Sequence, residues 1–287
     1  ETETLTGVED RIAPVSEIFR LQGDPELREA EKRYGGEAGA ATHALVLAAA
    51  RGEGLESVTE GRPKAMLEVA GKPLLRHLVD VFKQHGLHDI TAVAGYRAET
   101  IDVAGVKLVE NPAYETTGEL ASLNCAREHL GDDNLIVYGD LLFRRHVLTD
   151  LLETDHEITV VVDSQPRDVR APARDPAWCS AADDRSLFAQ DVTLEHVGTA
   201  DAPARAPEGR WIGIMRSRGV GRTWIAEALE TLRDQGRFET AGVPELLNTL
   251  LAAGRRVNVI YITGHWLDVN DLDDLRAAQA FAYGDHR

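Results

Sequence analysis

Three features of this 287-residue chain have residue types that could do chemistry: a lysine behind a proline, a loop of small residues after an apolar run, and an aspartate placed by a glycine after another. Pro63 and Lys64 set a cation after a rigid kink. Arg51, Gly52, Glu53 and Gly54 make a loop in which backbone amides can approach a ligand, and consecutive amides can form a nest for phosphate oxygens. Such a set is a triphosphate cradle or, equally, an ordinary turn. In Asn134 to Asp140, NLIVYGD, Gly139 is expected to turn the backbone so that Asp140 projects from the strand end. An aspartate there is a cap, a turn residue or a metal ligand. No GxxxxGKS or GxxxxGKT run and no GxGxxG run is present, which excludes a P-loop and a dinucleotide fingerprint.

The elements that must hold these residues alternate. Ala44 to Ala50 has the length and composition of a strand buried on both faces. Leu75, Leu78, Val79 and Phe82 recur at helical spacing, and Gly86 can end that helix. Further strands are predicted at Ile90 to Ala94, Val106 to Val109, Trp211 to Met215 and Val257 to Ile262, with helices at Thr223 to Arg233 and Pro244 to Ala253. This order predicts an α/β fold: an open, mostly parallel, Rossmann-like mixed sheet with helices on both faces. Ligands of such sheets sit beyond the carboxyl ends of the strands, where the exit loop Gly95, Tyr96 and Arg97 also lies. Residues 41–287 are read as one domain, and 164–210, rich in proline, alanine and charge, as a surface insertion or an acceptor-side lid crossed by an exposed strand at Asp191 to Val197. Residues 1–40 form an amino-terminal arm with a predicted helix from Pro25 to Tyr34, packed on the domain or on a partner; a homodimer is among the arrangements this allows.

Composition excludes several classes. A formal net charge of −17 argues against a nucleic-acid surface. Hydrophobic content of 43% is that of a globular protein, no apolar run reaches membrane-spanning length, and no signal-peptide core is seen, so the expected location is the cytoplasm without membrane attachment. Cys125 and Cys179 lack metal-ligand spacing and read as structural or incidental.

The stretch LVLAAARGEGLESVTEGRPKAMLEVAGKPLL resembles the signature of the nucleotidyltransferases that activate phosphorylated sugars and choline phosphate. Leu47, Ala48, Ala49, Gly52, Thr59, Pro63, Lys64, Gly71, Lys72, Pro73, Leu74 and Leu75 fall in register. Ala50 replaces the first glycine of the pattern, and Gly54 stands where the family has an arginine; Arg51 is the cation that would replace it. The resemblance implies that Asp140, in GD, and Asp268, in WLDVNDLDDL, are metal aspartates, and that the neighbourhood of Glu119, Ser122 and Leu123 reads the nucleotide base. Asp271, Asp273 and Asp274 are helix-start residues, and His265 packs or caps. Within the superfamily the chain is most similar to cytidylyltransferases of the choline phosphate and phosphonate type. The amino-terminal arm is similar to the end of a phosphoenolpyruvate mutase, which implies an upstream mutase and a phosphonate acceptor.

The implied chemistry is CMP transfer from CTP to a small phosphonate. Mg²⁺ held by Asp140 and Asp268 would face the α-phosphate, and Lys64 would stabilise developing negative charge. The acceptor oxygen is already ionised, so no protein nucleophile is needed, and none of the usual triads is visible. For the acceptor, Arg210 and Arg216 are the candidate phosphonate cations; Trp178, Phe188 and Trp211 are the aromatics available to a quaternary ammonium, and Asp183, Asp184 and Asp191 the carboxylates available to an amine. The order of expectation is 2-hydroxyethylphosphonate, 2-aminoethylphosphonate, choline phosphate. The competing reading from another class is a domain that binds nucleotide without turning it over.

Overall fold

The computed structural model describes residues 41–165, 174–185 and 190–283; the arm, its predicted helix and Phe188 lie outside them. Strand β1 (His43–Ala48) is flanked on both sides by parallel strands, β4 (Ile90–Ala94) and β6 (Asp133–Tyr138), and β4 pairs in parallel with β5 (Lys107–Glu110). On the other side of β6 the sheet turns mixed. The ten-residue β11 (Gly209–Arg218) runs antiparallel to β6, to β8 (Ile158–Asp163) and to β9 (Pro176–Cys179). β9 pairs with β10 (Leu194–Val197), and β8 pairs in parallel with β12 (Asn258–Ile262). Among the described residues this gives nine strands in one sheet.

Alternation along β1 shows how the sheet is covered. Leu45 and Leu47 face one layer with α2 (Glu119–Cys125), α4 (Gly221–Asp234) and α5 (Val243–Ala252). Ala44, Val46 and Ala48 face the other, with α1 (Leu74–Gln84) and α3 (Arg145–Leu152). The spacing of α1 buries Leu75, Leu78, Val79 and Phe82 on one side, and Gly86, at φ 81, takes the left-handed position after its C-cap. A third cluster, including Leu55, Leu67, Val69, Leu142, Val269 and Ala278, joins the ribbon of β2 (Glu68–Val69) and β3 (Lys72–Pro73) to α6 (Leu272–Tyr283). It also holds a second ribbon, β7 (Leu141–Phe143) paired with β13 (Trp266–Asp268), which carries the site.

The fold agrees with the expected mixed sheet, with two refinements. The irregular insertion supplies sheet edge: Pro176 to Cys179 and Leu194 to Val197 pair as β9 and β10, with Leu194 and Val197 buried. Gly139 serves by its size and not by an unusual φ. Its amide donates to the Leu47 carbonyl at 2.9 Å, and a Cβ there would lie 3.0 Å from Ala48 Cβ and 3.1 Å from Leu47 O. No helix among the described residues is long and apolar enough to cross a membrane.

Candidate active site

A cavity of about 320 Å³ opens at the carboxyl ends of β1 and β6, as the topology requires. One wall is a continuous chain of polar contacts. Lys64 Nζ donates to Asp140 Oδ2 at 2.5 Å and to Asn270 Oδ1 at 3.0 Å. Asn270 Nδ2 donates to Asp268 Oδ2 at 2.6 Å, and Arg210 Nη2 donates to the same oxygen at 2.6 Å. Residues far apart in sequence thus converge.

Local structure fixes each of them. Lys64 opens a short 3₁₀ turn behind Pro63, whose extended backbone aims it. Gly52, at φ 96, lies against the Lys64 stem, where a Cβ would stand 3.3 Å from three of its carbons. Asp268 pairs with Leu141 across the β7–β13 ribbon, and the Val269 amide donates to the Asp140 carbonyl at 3.1 Å, so both aspartates ride on one small antiparallel unit. Arg210 is 7% exposed; its guanidinium lies 4.8 Å from the Trp266 ring centre, and Trp266 Nε1 is tied to Asp163 Oδ2 at 2.8 Å. Asp271 Oδ1 accepts the amides of Asp273 and Asp274, the helix-start role expected of it. His265 stacks edge-on with His146, the packing role expected of it.

Asp140 Oδ1 is buried and, among the described residues, has no hydrogen-bond partner. A buried carboxylate oxygen left free beside a second carboxylate fits a small hard cation, and Mg²⁺ takes one or two protein carboxylates with the remaining positions filled by phosphate and water. Among the described residues no group of three or more His, Cys, Asp or Glu could hold a metal, so a pair of carboxylates is what the site offers.

The opposite wall is formed by Leu47 to Ala50, the start of α2, and Tyr138. Glu119 accepts from Tyr138 Oη at 2.5 Å and from the Val243 amide at 3.0 Å; burial raises the pKa of Glu119, and burial together with Glu119 raises that of Tyr138. Ser122 is buried, accepts from Asn111 Nδ2 at 3.1 Å and reaches the cavity wall; Leu123 is core.

Several sequence-predicted residues stand elsewhere. Arg51 is exposed and lies 5.1 Å from the centre of the Tyr96 ring, and the Gly54 amide is taken by Glu56 Oε1, so the 51–54 loop backs Lys64 and does not face the cavity. Gly95 and Tyr96 brace that wall from behind: the Tyr96 amide donates to Ala49 O, and a Cβ on Gly95 would meet Tyr114 at 2.6 Å and Ala49 O at 2.8 Å. Gly95→Ala is therefore expected to cost about 1–3 kcal/mol and to raise the apparent Km for nucleotide, checked by denaturant unfolding and steady-state kinetics.

Arg216 is a correction. It is 3% exposed and binds both oxygens of Asp133, at 2.9 and 2.5 Å, and the carbonyls of Leu151, Leu152 and Thr154. Asp133 begins β6, so Arg216 sits at the end of the sheet opposite the cavity and is a buried structural cation. Antiparallel β11 carries Arg210 to one end and Arg216 to the other. Trp211 lines the cavity, 5.4 Å from Tyr138 centre to centre, whereas Trp178 is core and spends its indole N–H on Arg205 O. Asp183 accepts from Ser164 and Asp191 pairs with Arg256, and with Asp184 they lie off the cavity wall; Asp175 lines it instead. Asn270 and Asp175 were missed by sequence reasoning. Asn270 was legible only as the residue two beyond Asp268, and Asp175 was hidden in the proline- and alanine-rich insertion.

Comparison with known proteins agrees with this fold. Over 242 residues the chain is 26% identical to a UTP–glucose-1-phosphate uridylyltransferase, AglF, of Haloferax volcanii, covering 82% of this chain and 94% of that one. Over 131 residues it is 34% identical to a CMP-5'-(3-aminopropyl)phosphonate synthase of Streptomyces rubellomurinus, covering 43% of this chain but 21% of that protein. The solved structure of CTP:phosphocholine cytidylyltransferase from Streptococcus pneumoniae shares the fold, with a TM-score of 0.65 at 20% identity over 84% of this chain and 99% of that chain. With residues 44–209 matching its pattern, the chain belongs to the MobA-like NTP transferase domain family.

Proposed function

We propose that this protein is a cytidylyltransferase that joins CMP, taken from CTP, to a small phosphonate and releases pyrophosphate. The observation that carries the reading is the chain Lys64–Asp140, Asn270, Asp268–Arg210 along one wall of a cavity whose other wall is built from β1 and α2. That wall can take the nucleoside: Ala49, Ala50 and Ser122 line it, and Glu119 is held in place by Tyr138.

An acceptor oxygen forms a bond to the α-phosphorus of CTP while the bond from that phosphorus to the bridging oxygen of pyrophosphate breaks. Asp140 and Asp268 would hold Mg²⁺, which when bound neutralises charge on the phosphate oxygens. Lys64 leans on the Asp140 side and offers its ammonium to the nucleotide, and Arg210 offers its guanidinium to the acceptor's anionic end. Holding two anions in line is most of the task, and positioning of this kind supplies about 7–11 kcal/mol of a barrier. No general base is required, because the attacking oxygen carries its charge already.

Cytidine is favoured by the Streptomyces relative, whose name specifies a CMP-phosphonate. The acceptor placed first is 2-hydroxyethylphosphonate, as in phosphonate biosynthesis of the fosfomycin type, with an upstream mutase and a cytoplasmic setting as parts of the same proposal; 2-aminoethylphosphonate is second and choline phosphate third. The insertion around Asp175 would close the acceptor side. Pyrophosphate release from each of four nucleoside triphosphates with each of these acceptors tests the reading. CTP with a phosphonate is expected to exceed every other pair by tenfold or more. Equal rates with all four triphosphates would remove the cytidine assignment, and nucleotide binding without any release would leave a binding module.

A further inference from the structure

Asp175 differs from every other acid of the site. It lines the cavity that holds Lys64 and Asp140, and also a second cavity, of about 650 Å³, bounded by α4, α5 and the end of β10. The neighbouring carboxylates are engaged: Glu119 by Tyr138 and Val243, Glu245 by the Gly242 amide, Asp268 by Arg210 and Asn270. Among the described residues the Asp175 carboxylate has no hydrogen-bond or ion-pair partner. Burial pushes its pKa up to about 6, although the charge of Arg210 acts in the opposite direction.

Its backbone is committed as well. Asp175 sits at φ 46, a left-handed conformation uncommon outside glycine, and its carbonyl accepts the Trp211 amide at 3.0 Å. Pro176 follows as the first residue of β9 and pairs with Arg210 on β11. A non-glycine residue in the left-handed region whose side chain has no partner among the described residues fits a residue held for a ligand. That register sets Asp175 opposite Trp211, and Asp175 and Arg210 line the same cavity, so a short molecule with an anion at one end and a donor at the other can span the two.

We propose that Asp175 selects the acceptor, its carboxylate accepting a hydrogen bond from a hydroxyl or ammonium carried at the end remote from phosphorus. The proposal rests on the nucleotidyl-transfer reading of this cavity. An acceptor without such a donor leaves Asp175 desolvated and unpaired, and sites built around a substrate hydrogen bond reject the analogue lacking it strongly.

The test uses the full chain and three acceptors of similar size: 2-hydroxyethyl-, 2-aminoethyl- and ethylphosphonate. For the unaltered protein, kcat/KM with a donor-bearing acceptor is expected to exceed that with ethylphosphonate by at least about a hundredfold. In Asp175→Ala that ratio is expected to fall to within a few-fold of one. Asp175→Asn, nearly isosteric, distinguishes the two donors: its amide oxygen still accepts from a hydroxyl, whereas an ammonium loses its counter-charge. A ratio unchanged in Asp175→Ala overturns the proposal while leaving nucleotidyl transfer standing. If no acceptor supports pyrophosphate release, the transfer reading fails separately. Broadening of the three phosphonates' ³¹P resonances then decides the role of Asp175: loss of the donor-bearing pair's broadening in Asp175→Ala upholds it, and equal broadening in both proteins overturns it.

Discussion

Asp140→Asn is expected to lower pyrophosphate release from CTP by roughly a thousandfold, equivalent to about 4 kcal/mol of transition-state stabilisation. The substitution keeps an oxygen for Lys64, whose ammonium lies 2.5 Å from Asp140 Oδ2, but removes the charge that would hold a metal through the free Oδ1. The fold should be little disturbed, because asparagine fills the same volume. Asp268→Asn should behave similarly, with a further signature: Arg210 and Asn270 both donate to Asp268 Oδ2, so loss of that charge also loosens Arg210, and KM for the acceptor should rise alongside the fall in kcat. The measurement is steady-state kinetics at varied Mg²⁺ with Mn²⁺ binding followed by EPR. Full turnover in both variants would refute the assignment of these two carboxylates.

The second large effect is on stability. Arg216→Ala leaves Asp133 buried without its bidentate partner and frees three carbonyls, of Leu151, Leu152 and Thr154, that the guanidinium now satisfies. Removing one member of such a buried pair costs about 3–5 kcal/mol, which corresponds to a fall of roughly 10 °C in Tm for a domain of this size. Below the transition, KM for the acceptor and kcat should stay within two-fold of the unaltered protein, because Arg216 is at the far end of β11. A substrate-binding arginine would give the reverse pattern, with stability kept and KM raised. Calorimetry and kinetics on the same preparation separate the two.

The contrast between Arg210 and Arg216 shows where sequence reasoning reaches its limit. They flank one apolar stretch, and nothing in the neighbouring residues says which end of the strand faces a ligand; the direction of β11 in the sheet decides, and direction is a property of the whole topology. The parallel half was legible because short apolar runs alternating with a helical period leave few alternatives. The loop after β1 was legible as a special segment, and Ala49 and Ala50 form the wall, but the role of Gly52 in making room for the Lys64 stem was not legible. Lys64, Asp140 and Asp268 could be named from motif and position, but their convergence through Asn270 depends on a ribbon of three residues per strand, too short to leave a periodic signal.

The placement of β11 also constrains how the chain can be made. Its partner β6 is complete by Tyr138, yet the strand that covers that edge ends only at Arg218. During synthesis the Leu135 to Val137 stretch must therefore wait, with one row of amides and carbonyls unpaired, while the intervening segment emerges. Any shortened version stopping before Ile214 inherits that open flank permanently, and its expected fate is self-association into sheets, whatever remains of its cavity.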